Sequence, residues 1–68
     1  MLTIRDLKEQ FEIQGAYKVI AYDDTDKITV IAEGYEIRYS NIEDEYLDAE
    51  IGYMYADDNT LVIEVHID

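Results

Sequence analysis

At Gly15 the spacing of apolar residues changes from three-and-four to two, which dictates one helix followed by a sheet. Before that point Ile4, Leu7 and Phe11 recur at helical intervals and form a single apolar stripe, so the spacing predicts a helix over Thr3 to Gln14. Thr3 caps it. Asp6, three residues on, reaches back to the Thr3 amide and meets the positive helix end. Gly15 supplies a permissive backbone position for the exit. A helix of about three turns does not stand alone in water, so it must lie on something.

After Gly15 the chain reads as strands. Ala16 to Tyr22 forms one, with Tyr17, Val19 and Ala21 competing against Ile20 and Tyr22 for the inner face. Asp23-Asp24-Thr25-Asp26 follows, and its short oxygen-bearing side chains favour a turn. Lys27 to Glu33 then alternates, placing Ile28, Val30 and Ala32 on one face and closing a hairpin. From Tyr35 the apolar positions become odd-numbered (Tyr35, Ile37, Tyr39). A straight strand cannot hold both parities on one face, so the phase must reset at Glu33-Gly34, by a bulge or by a tight turn.

Ser40-Asn41 is a capping pair with Asp44 three residues beyond Asn41, which predicts a short helical turn near 41–47. Ile51, Tyr53 and Tyr55 alternate with Gly52 and Met54, then Asp57-Asp58-Asn59-Thr60 turns into the alternating run Leu61 to Ile67. The expected fold is therefore a single α+β domain over residues 1–68. It is a short N-terminal amphipathic helix packed on a curved antiparallel sheet of four to five strands. A chain this short buries only about 60% of its unfolded surface, so its stability is expected to be marginal.

Charge restricts what such a domain can touch. Seventeen acidic residues against five basic ones leave a formal net charge of −12. That field repels nucleic acid and anionic membrane and attracts basic surfaces. There is no cysteine and a single histidine, His66, which removes thiolate chemistry and leaves a poor ligand set for zinc. No apolar run is long enough to span a bilayer, and residues Met1 to Asp6 do not open a secretion signal, so a cytoplasmic protein is expected.

The residues that carry chemistry elsewhere have structural explanations here. Asp23-Asp24-Thr25-Asp26 and Asp57-Asp58-Asn59 lack the central glycine, terminal glutamate and flanking helices of a calcium loop. Ser40 and Thr60 sit where caps and turns want a hydroxyl, and no glycine-rich phosphate loop exists. No catalytic, cofactor-binding or metal-ligating residue is assigned, and no cofactor is expected.

The opening Thr3 to Gly15 (TIRDLKEQFEIQG) and the closing Ile51 to Val65 (IGYMYADDNTLVIEV) together resemble small acidic proteins carried by prophages and other mobile elements of Gram-positive gut bacteria. They cover under half of the chain. The resemblance implies an accessory protein, and such elements encode small acidic inhibitors of host nucleases and regulators.

Seven tyrosines cannot all be hidden in so small a core with their hydroxyls satisfied, and tyrosine is favoured at interfaces. The expected function is therefore a non-enzymatic protein-interaction module with a strongly acidic, tyrosine-containing surface. Its candidate contact residues are Glu43, Asp44, Glu45, Asp48, Glu50, Tyr53 and Tyr55. The expected partner is a protein with a basic surface, or a second copy of the chain. The alternative is an acidic mimic of nucleic acid that inhibits a basic nucleic-acid-handling protein. A weak divalent-metal-binding protein or small hydrolase has the least support from these residues.

Overall fold

In the computed structural model, which describes residues 1–67, Thr3 starts α1 (Ile4–Gln10) as its hydroxyl allows. Its Oγ1 accepts from the Asp6 amide at 3.2 Å, and its own N–H donates to the Asp6 carboxylate at 3.1 Å. The expected reciprocal cap is present. Thr3→Ala is expected to lower stability by about 1 kcal/mol, read as a lower urea midpoint at unchanged slope.

The helix ends sooner than the apolar spacing predicts. Gln10 is its last residue, and Phe11 turns extended (φ −124°, ψ 149°) and 52% exposed. Phe11 therefore leaves the stripe, while Ile4 and Leu7 remain buried and Ile13 packs against the core in its place. Extended backbone advances about 3.3 Å per residue against about 1.5 Å in a helix. That reach carries the chain from α1 to the start of the sheet.

Four strands follow: β1 (Ala16–Tyr22), β2 (Ile28–Tyr35), β3 (Ile51–Asp57) and β4 (Thr60–His66). Their order is β2-β1-β4-β3. The two hairpins, β1/β2 and β3/β4, are antiparallel as their turns require, whereas the central β1/β4 pairing is parallel. The sheet is thus mixed, within the expected α+β class. The chain crosses from β2 to β3 over the inner face, through a 3-10 turn at Ile37–Tyr39 and α2 (Asp44–Leu47).

The parity conflict in β2 resolves upstream of its expected place. Val19 faces Ala32 while Ile20 faces Val30, so Ile31 is the extra residue of a bulge. Ile28 and Val30 consequently point away from the core, and Ala32 points toward it. The strand runs on through Gly34, which lies beside the Tyr17 ring, its nearest atoms in ordinary contact distance at 3.6 Å from where a Cβ would stand. It then breaks after Tyr35 at Glu36 (φ 58°). Of the odd-numbered trio only Ile37 is buried. The short helical turn also begins later than Asn41 suggests: Glu43 occupies the cap position of α2 without a side-chain bond.

The core lies between the inner sheet face and the layer formed by α1, the 3-10 turn and α2. Tyr17, Val19 and Ala21 of β1 and Ile63 and Val65 of β4 meet Ile4, Leu7, Ile37, Ile42 and Leu47 there. The competition within β1 is settled for its odd-numbered set, which is buried in one cluster with Ile4 and Leu7 of α1.

Candidate interaction surface

Residues opposed across a ladder project to the same side. With β1 set by Tyr17, Val19 and Ala21 facing inward, its even-numbered residues face outward together with their partners. The outer face therefore carries Ile28 and Val30 from β2, Lys18, Ile20 and Tyr22 from β1, Val62, Glu64 and His66 from β4, and Tyr53 and Tyr55 from β3. Much of its apolar surface is open to solvent: Ile28 is 67% exposed, Val30 47% and Tyr53 65%. Only Val62, between Lys18 and Tyr55, is buried there.

At one end of this face a hollow of ≈ 340 Å³ is bounded by Tyr22, Asp26, Ile28, Tyr53 and Glu64. The Asp23 turn shapes its rim. Asp23 Oδ1 accepts from the Thr25 hydroxyl at 2.6 Å and from the amides of Thr25 and Lys27 at 2.9 and 3.2 Å. Asp26 closes the turn at φ 60°. Tyr22 lies across β4, and its hydroxyl rests 2.6 Å from where a Cβ on Gly52 would stand. Gly52 is the extra residue of a second bulge, between the Ile51/Val65 and Tyr53/Glu64 pairs. The Tyr22 ring also meets His66 edge-on, with centroids 5.1 Å apart, and His66 Nε2 is 3.0 Å from Asp24 Oδ1.

Charges around the sheet are locally organised. The Thr25 hydroxyl and the turn amides hold the Asp23 carboxyl below the ordinary carboxylate range. Arg5 does the same for Asp48 by donating from Nε at 2.8 Å and from Nη2 at 3.3 Å. Both contributions to stability are present above the ordinary carboxylate range, and both are lost as pH falls through the depressed folded values. Tyr55 donates to Glu64 Oε2 at 2.6 Å, and this bond to a carboxylate raises the phenol above its usual range. Its contribution is present below the ordinary tyrosine pKa and disappears as pH rises through the raised value. In an alkaline absorbance titration Tyr55 is expected to ionise after a freely exposed tyrosine, identified by its loss in Tyr55→Phe. Glu64→Gln should return it toward the ordinary range.

The seven contact residues expected from sequence divide between two sides. Glu43, Asp44, Glu45 and Asp48 stand on and around α2, in the layer that covers the inner face, and Glu50 bridges to Thr3 just before β3. Tyr53 and Tyr55 stand together on the outer face. A second hollow, of ≈ 360 Å³, opens beside α2 between Glu45, Tyr46, Asp48, Ala49, His66 and Ile67. The Ser40 hydroxyl is buried, and Thr60 Oγ1 turns to the Asp58 carbonyl at 3.4 Å. Among the described residues, no group of three or more His, Asp or Glu is set to hold a metal ion, and no helix is long and apolar enough to cross a membrane.

Tyr22, Ile28 and Gly52 were outside the expected contact set. The signal for Gly52 is its place inside an alternating strand, directly before the outward Tyr53, where a missing side chain leaves room for a neighbour. Comparison with protein-family models, with curated proteins and with solved structures finds no match for this chain.

Proposed function

We propose that this chain is a non-enzymatic, cytoplasmic protein-interaction module whose outer sheet face receives a protein with a basic surface. The observation that carries this reading is the uncovered, tyrosine-bearing face of β2, β1, β4 and β3. A large open apolar patch with a polar rim is the ordinary mark of an interaction site. The rim here is acidic: Asp26 and Glu64 border the hollow, in a chain of net charge −12. Opposite charge draws a basic partner and speeds the encounter. A second copy of the chain would bring another −12 to the same contact.

The test uses a photo-crosslinking residue placed at Val30 or Tyr55 on the outer face, or at Glu9 or Glu45 on the helical side. Outer-face positions are expected to trap one defined basic protein, with a yield that falls as salt rises. Trapping from Glu45 alone would favour the nucleic-acid-mimic reading through Glu43, Asp44, Glu45, Asp48 and Glu50. A cross-linked dimer of the chain itself would overturn the basic-partner assignment.

A further inference from the structure

We infer that the hollow between Tyr22 and Tyr53 is a receptor for one arginine side chain of the partner, an inference that rests on the interaction reading above. It is lined by two tyrosines, Tyr22 and Tyr53, by Ile28, and by two acidic residues, Asp26 and Glu64. Aromatic faces attract cations, and a planar guanidinium stacks on tyrosine while its N–H fork engages carboxylate oxygens. A neutral apolar group would use the rings but leave the carboxylates without a counter-charge. An anion would be repelled by both. At ≈ 340 Å³ the hollow is at the small end of ligand sites and has room for a side chain.

The seat is also built in advance. Tyr22 is held from one side by the edge contact to His66, itself bonded to Asp24. Its hydroxyl occupies the space that any side chain at position 52 would fill. Glu64 is fixed by the Tyr55 hydroxyl, which occupies Oε2 and leaves Oε1 for a donor. Three strands thus orient the groups before a guanidinium arrives, which lowers the ordering cost of binding. Gly52 is a positioning residue in this arrangement, since it touches the Tyr22 hydroxyl and not the ligand.

The test is an NMR titration of the whole chain with N-acetyl-arginine methylamide, and with the neutral citrulline analogue as control. Saturable shifts confined to Tyr22, Ile28, Gly52, Tyr53 and Glu64 are expected with arginine and absent with citrulline. Tyr53→Ala and Glu64→Gln should each weaken binding by about tenfold. Gly52→Ala should weaken it too by displacing Tyr22, while the rest of the amide spectrum stays in place. Equal shifts from citrulline, shifts spread over the whole acidic surface, or undiminished binding in Tyr53→Ala would overturn the assignment. If arginine fails but Val30 and Tyr55 still trap a basic protein, the receptor falls and the interaction module stands. If neither arginine nor trapping succeeds, both fall.

Discussion

Ile63→Ala is expected to remove about 2–5 kcal/mol of stability. Ile63 lies in β4, one of the two central strands, and has no solvent exposure. Its side chain shares the cluster with Val19, Val65, Ile4 and Leu7, drawn from three elements that cannot all close on the gap at once. A chain of 68 residues holds only about 3–10 kcal/mol in total. The variant should therefore show a measurable unfolded fraction without denaturant, seen by circular dichroism in a urea series. Val30→Ala on the outer face should stay within about 0.5 kcal/mol of the parent. Equal losses at the two positions would mean that the core had been placed on the wrong side of the sheet.

The second large effect belongs to Gly15→Ala, expected to cost about 1–3 kcal/mol. Gly15 holds φ +95°, and an added Cβ would meet nothing within 4 Å. The penalty is therefore one of backbone conformation and not of crowding. The position matters because the Gly15 carbonyl accepts from the Glu36 amide at 2.9 Å, tying the entry of β1 to the exit of β2. Asparagine, which tolerates positive φ better than alanine, should recover part of the loss. A Gly15→Ala variant as stable as the parent would show that the joint relaxes to negative φ without disturbing either strand.

Much of this architecture is written locally. The Thr3/Asp6 reciprocal cap, the span of β1 and the hairpin of β3 and β4 follow from residues within a few positions of one another. What escapes the sequence is what depends on distant partners. Phe11 fits the helical spacing but cannot follow it, because the chain must extend to reach the sheet. The bulge at Ile31 moves the phase change away from Gly34, since register is chosen by the whole β1/β2 ladder. The parallel β1/β4 pairing had a signal that local alternation hides. Val19-Ile20 and Val62-Ile63 are apolar on both faces, as central strands require.

The outer surface follows the same division. Tyr53 and Tyr55 share a face by simple alternation, and they do so in the structure. That Tyr22 reaches across an intervening strand to lie over Gly52 depends on the order of strands, which no window of sequence contains. The acidic run around α2 looked continuous with the tyrosines because the residues are adjacent in the chain. The fold sends it to the other side.

Each border strand carries one surplus residue, Ile31 on one side and Gly52 on the other. A run of backbone donors and acceptors that is kinked at such a point makes a poor template for another chain. Fibre growth by repeated strand addition therefore has no flat margin from which to begin. A domain with bare isoleucine, valine and tyrosine on its surface can stay dispersed at high concentration while leaving that surface free for use.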